Sequence, residues 1–200
     1  MSTGFFFDLD GTVTTTELLP CIASELAATD EIATLTKLTM DGHIPFADSM
    51  RLRCLILGQI PLEQVHSVVS SVPLDPLIVD FITNRPKECA IVTGNLDIWL
   101  TPLMERLRCR WYTSQAAFDS RRLGLTHILD KGQVIRGVKS SGEFMRHVAV
   151  GDGANDASML EHADIGIAYG GVHSPAPVSV EVSKILVNSS ESLCSLLKAL

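Results

Sequence analysis

Two hundred residues, 46% hydrophobic and 20% charged, suit one domain with a modest insertion and exclude wholesale disorder. A formal net charge of −7 disfavours nucleic acid and anionic membrane as partners, and no stretch approaches the ~20 apolar residues of a membrane span. Cys21, Cys54, Cys89, Cys109 and Cys194 follow no metal-binding spacing, and MSTGFFFDLDG lacks the basic region and long apolar run of a signal peptide, so free thiols and a cytoplasmic location are expected.

In chain order, Phe5–Leu9 is an apolar run ending in Asp10-Gly11. The same grammar recurs at Cys89–Val92 before Thr93-Gly94-Asn95, at His147–Val150 before Gly151-Asp152-Gly153, at Ile165–Ala168 before Tyr169-Gly170-Gly171, and at Ile185–Val187 before Asn188. Continuous apolar runs without alternation predict strands covered on both faces, hence a parallel sheet. Helical spacing lies between them over Leu96–Leu107, Asn155–His162 and Glu191–Leu200. Arg106, Arg108 and Arg110 mark a solvated helix-to-strand junction. The expected fold is α/β, an open doubly wound sheet with ligands beyond the carboxyl ends of its strands.

After the first strand the rhythm breaks. Helical patterns at Glu17–Ala28, Asp30–Met40, Phe46–Leu57 and Leu62–Val69 follow one another without a strand. Asp30 and Asp41 are turn or N-cap candidates, Pro61 opens the fourth helix, and Pro73 and Pro76 mark the return. Residues 14–78 are too many for a loop. They are expected to form a small all-helical domain over the carboxyl edge of the sheet, leaving 1–13 and 79–200 as the core.

Two carboxylates end the first strand. Asp8 and Asp10 repel each other and are costly to desolvate unless a proton, a cation or solvent relieves them. GDGAND adds Asp152 at another strand's end and Asp156 at the start of a helix, with Gly151 and Gly153 allowing a tight turn. Such an oxygen-rich, soft-ligand-free pocket suits Mg²⁺. Thr93, with its hydroxyl, and Gly94 offer groups that hold anion oxygens. A lysine, Lys131 or its competitor Lys139, can neutralise a carboxylate and a phosphate oxygen.

These residues resemble the haloacid dehalogenase (HAD) superfamily, whose four motifs occur in order: Asp8-Leu9-Asp10-Gly11-Thr12, Thr93-Gly94, Lys131, and Gly151-Asp152-Gly153-Ala154-Asn155-Asp156. The helical insertion resembles the C1 cap on a Rossmann-like core, and within the superfamily the phosphoserine phosphatase group is most similar. The likeness is weakest over residues 109–130. It implies Asp8 as nucleophile, Asp10 as general acid and then base, and Mg²⁺ held by Asp8, the Asp10 carbonyl and Asp152, with Asp156 supporting metal-bound water. It also implies Thr93, Gly94, Lys131 and Asn155 around the phosphoryl group. The second aspartate argues against dehalogenation, which has no alkoxide to protonate.

Substrate choice is expected from the cap. Glu17 stands where that group places an acidic residue facing the substrate ammonium, and Arg53 where its arginine binds the substrate carboxylate. Phe46, Met50, Arg53 and Leu57 share a helical row, although Arg51 also borders apolar neighbours. Asn95 puts a side chain beside the substrate where phosphoserine phosphatases carry glycine. The resemblance therefore implies hydrolysis of a small phosphomonoester, O-phosphoserine foremost. Sugar or polyol phosphates, a phosphotransferase on the same fold, and a receiver-like module remain as alternatives.

Overall fold

A computed structural model describes residues 2–40, 43–119 and 122–200. Among them, seven strands form one sheet in the order β4-β3-β2-β1-β5-β6-β7. The strands are β1 (Thr3–Phe7), β2 (Cys89–Leu96), β3 (Arg110–Asp119), β4 (Arg122–His127), β5 (Arg146–Gly151), β6 (Ile165–Tyr169) and β7 (Ile185–Val187). All pairings are parallel except β3 with β4.

The continuous apolar runs are two-faced, as a sheet covered on both sides demands. Phe5 and Phe7 of β1 join Ile91, Val148 and Val150 in one hydrophobic cluster, while Phe6 joins Ala90, Val92 and Ala149 in another. The first face is covered by α5 (Pro76–Thr83), α6 (Asp97–Leu107) and α10 (Ser190–Ala199), the second by α7 (Lys131–Ser141) and α8 (Ala157–His162). Phe81 of α5 meets Phe5 edge-on at 5.1 Å. A short helix, α9 (Pro177–Val182), precedes β7.

Between β1 and β2 stand α1 (Leu18–Ala23), α2 (Thr29–Met40), α3 (Phe46–Leu57) and α4 (Leu62–Ser71). Asp30 lies in the first turn of α2; Asp41 lies outside the described residues. The two chain crossings into this helical segment run side by side: Thr14 bridges Leu74, Thr15 N donates to Pro73 O at 3.0 Å, and Asp75 N donates to Val13 O at 2.9 Å. Asp75 caps α5 by accepting from Leu77 N and Ile78 N, with Pro76 at the first helical position. The boundary expected at 78 therefore falls inside a helix that packs on β1. Among the described residues no helix is long and apolar enough to cross a membrane.

Beyond the helix-to-strand junction expected at Arg110, residues 110–119 and 122–127 form β3 and β4, an antiparallel pair that the sequence did not announce. Its Leu123 is buried, and a Cβ on Gly58, just past α3, would stand 2.7 Å from that side chain. The pair thus supports the helical segment from the sheet's edge. Arg110 opens β3 and forms a two-pronged pair with Glu143 at 2.7 Å on an exposed surface, in keeping with a solvated junction.

Candidate active site

The register of the three central strands assembles the site. Phe7 lies level with Ile91 of β2 and Val150 of β5, so the chain turns at neighbouring points beyond each. Asp8 follows β1 and donates its backbone N–H to Val150 O at 2.8 Å. Leu9 O accepts from both Val13 N and Thr14 N at 2.9 Å, closing a tight loop. Gly11 in that loop has φ +71°, and a Cβ there would lie 2.7 Å from His173 and 2.9 Å from Asp152. Glycine is required on both counts.

Asp8, Asp152 and Asp156 are buried, and one carboxylate oxygen from each lies within 4.8 Å of the others. Lys131, the first residue of α7 and 5% exposed, bridges Asp8 and Asp156. Its competitor Lys139 pairs elsewhere, with Asp164 at 2.7 Å. Thr12 Oγ1 donates to Asp152 at 3.0 Å. The second Asp156 oxygen accepts from Asp152 N and Gly153 N at 3.0 and 2.8 Å. Asp156 therefore anchors its own turn as well as facing the cluster.

The charges do not balance. Burial, and then repulsion from Asp156, hold the Asp8 carboxyl well above the usual carboxylate range, with Lys131 opposing. Burial, Asp8 and Asp156 push Asp152 up to about 8. Burial alone would lower the Lys131 ammonium, yet Asp156 and Asp8 hold it above its ordinary value. One buried lysine cannot compensate three buried carboxylates, and an all-oxygen donor set of this kind fits a hard divalent cation.

Asp10 points away from the trio. Its Oδ1 accepts from Leu18 N at 2.8 Å and its Oδ2 from the Asn95 side-chain amide. Burial first, and Glu17 second, raise it to about 7. Its carboxyl is not among the three that converge.

Above these groups opens a pocket of about 640 Å³, its open mouth included, lined by Asp8, Asp10, Asp152, Thr93, Gly94 and Asn95 below and by helical-segment residues above. Asn155 is exposed at the rim. Phe46 of α3 sits so close to Gly94 that a Cβ there would lie 2.3 Å from the ring. Arg53 is 4% exposed; its Nη2 donates to Thr36 at 2.9 Å, and its buried Nε has no partner. Burial lowers the Arg53 guanidinium, yet its high intrinsic basicity keeps it cationic. Glu17 lines the same pocket at the start of α1.

One site residue was not expected from the sequence. His173, in the loop after β6, places Nε2 3.2 Å from Asp152 and 3.7 Å from Glu17. Glu17 and Asp152 outweigh burial and raise the imidazole to about 9. Ala176 N, donating to Asp152 O at 2.8 Å, ties that loop down.

A family model described as haloacid dehalogenase-like hydrolase matches residues 5–161. The chain belongs to that family. Among relatives of this hydrolase, a phosphoserine phosphatase of Methanocaldococcus jannaschii is 29% identical over 181 residues, covering 82% of this chain and 83% of its own. One from Archaeoglobus fulgidus is 26% identical over 82% of this chain, which spans about half of it, 51%. A solved phospho-aspartyl intermediate analogue of phosphoserine phosphatase superposes with TM-score 0.81 at 25% identity, covering 100% of this chain and 99% of its own.

Proposed function

We propose that this hydrolase cleaves small phosphomonoesters through an aspartyl-phosphate on Asp8, with Mg²⁺ as cofactor and O-phosphoserine as the preferred substrate. The observation that carries the reading is the convergence of Asp8, Asp152, Asp156 and Lys131, the first two lining a pocket that Arg53 and Glu17 also line. The relatives' activity and substrate support it.

Mg²⁺, held by Asp8, Asp152 and the Asp10 carbonyl with help from Asp156, would screen the repulsion between the nucleophile and a phosphate dianion. In the first half-reaction an Asp8 oxygen forms a bond to phosphorus as the bond to the ester oxygen breaks. Asp10 gives its proton to that oxygen. Its placement near 7 suits a group that must both hold and release a proton at neutral pH. In the second half-reaction Asp10 takes a proton from water, the water oxygen bonds to phosphorus, and Asp8 leaves as a carboxylate with inorganic phosphate. Dividing the reaction lowers each barrier. Lys131 opposes the upward pull on Asp8, and the cation would complete its ionisation, while Thr93, Gly94 and Asn155 face the phosphoryl oxygens.

The helical segment acts as a cap in this reading. Arg53, with an unpartnered Nε, receives the substrate carboxylate, and Glu17 receives the ammonium. The narrow double crossing at Thr14 and Leu74 lets the helical segment between them behave as one unit, with α5 and the sheet left in the core. The partner is a small molecule rather than nucleic acid or membrane, and five free cysteines accord with a reducing, cytoplasmic setting.

The test is phosphate release from a panel of phosphomonoesters with Mg²⁺, combined with rapid-quench mass spectrometry. One phosphoryl mass on the Asp8 peptide, and loss of turnover in a folded Asp8→Asn variant, are expected. A label on any other residue, or wild-type turnover in that variant, overturns the reading.

A further inference from the structure

Asn95 deserves its place for a reason other than contact with substrate. It is 5% exposed and stands where β2 bulges: Thr93 pairs with Thr113 and Leu96 with Ser114, so Gly94 and Asn95 have no counterpart on β3. A bulge beside a site re-aims side chains. Here Asn95 N donates to Thr93 Oγ1 at 3.2 Å, which fixes the backbone, and the side-chain amide reaches Asp10 Oδ2. The other Asp10 oxygen is held by Leu18 N. Donors from the core strand and from the first cap helix thus grip the two oxygens of one carboxyl.

We infer that Asn95 is a positioning residue: by holding Oδ2 while Leu18 holds Oδ1, it sets the plane of the Asp10 carboxyl toward the ester oxygen. The inference rests on the proposed phosphatase reading and adds to it the device that aims the proton. With both oxygens gripped, rotation about the Asp10 carboxyl bond breaks a hydrogen bond in either direction. Each oxygen still has a lone-pair direction free to carry the proton that passes to the leaving alkoxide. Loss of the amide leaves Asp10 held at one oxygen only, free to swing.

Leaving-group chemistry tests this. Alkyl phosphates expel a basic alkoxide and need the proton; p-nitrophenyl phosphate expels a stable phenolate and needs it far less. Asn95→Ala is expected to lower kcat/KM for an alkyl phosphate by roughly 10–10²-fold, with a much smaller loss on p-nitrophenyl phosphate. In an Asp10→Asn background the same substitution should have almost no further effect, because the two residues act as a unit. Asn95→Leu, of similar size but without a donor, should match the alanine loss. Equal losses on both substrates, a change in KM alone, or additive effects in the double variant would each overturn the inference. A crystal structure of Asn95→Ala separates this from the parent reading. A rotated Asp10 carboxyl upholds the positioning role even if no phosphomonoester is turned over, and an unmoved one refutes it even if the enzyme is a phosphatase.

Discussion

Asp152→Asn is expected to stabilise the metal-free protein while abolishing its response to Mg²⁺. Asp152 is 2% exposed and crowded by Asp8 and Asp156, and its folded-state value is about 8 against 3.8 for a free aspartate. Because the folded value is the higher one, the ionised group destabilises the fold. The cost begins above pH 4 and is fully developed above pH 8; protonation relieves it as pH falls between the two. At pH 7, with about 1.36 kcal/mol per tenfold change in proton affinity, the cost reaches about 4 kcal/mol. Sharing of protons within the carboxylate trio and loss of the contact to His173 reduce the expected gain to about 2 kcal/mol. Thr12 still finds an acceptor in the asparagine carbonyl. For a chain of this length that gain raises Tm by about 4–8 °C. The assay is thermal melting in EDTA at pH 5 and pH 8, then with Mg²⁺. The variant should melt above wild type at pH 8, with the gap closing toward pH 5. Wild type should gain about 2.7 kcal/mol at a hundredfold excess of Mg²⁺ over Kd, and the variant little. A variant that melts below wild type in EDTA at pH 8, or that keeps the full Mg²⁺ shift, refutes the charge argument.

Arg53→Ala should raise KM for phosphoserine by roughly 10–10²-fold, the worth of charge-assisted hydrogen bonds to a carboxylate, and leave KM for p-nitrophenyl phosphate nearly unchanged; parallel increases would remove Arg53 from carboxylate recognition. Burial alone would raise Asp164, but Lys139 and His147 together bring it down to about 2. A depressed acid stabilises above its unfolded value and loses that contribution as pH falls from about 4 through 2. Asp164→Asn should therefore cost about 1 kcal/mol at pH 7, discounted for a side chain 40% exposed, and urea midpoints of variant and wild type should converge below pH 4.

Much of this arrangement was legible in the chain before folding. Apolar runs such as Phe5–Leu9 and His147–Val150 announce buried parallel strands because both faces must be covered, and the register confirms their pairing. The helical spacing of Phe46–Leu57 matches α3 to the residue. Past the junction at Arg110 the strands β3 and β4 were illegible, because RWYTSQAAFD mixes polar and apolar side chains without a sustained period, and the antiparallel pairing appears only in the fold. Lys131 and Lys139 stand two turns apart on α7, and only the fold turns one toward Asp8 and the other toward Asp164.

The order of residues along the chain thus supplied the candidate groups: acidic side chains at strand ends, a hydroxyl and glycine at another, and an arginine on an inserted helix. Local periodicity and turn chemistry act over a few residues, and a reader of sequence can follow them. Tertiary structure alone decided who faces whom. Asn95 meets Asp10 across 85 positions, and Lys131 meets Asp8 across 123, while His173 comes beside Asp152 from a loop with no pattern of its own. Those meetings depend on strand order and on a bulge in β2. No local signal encodes them, because their energies exist only once the sheet has closed and water has been expelled.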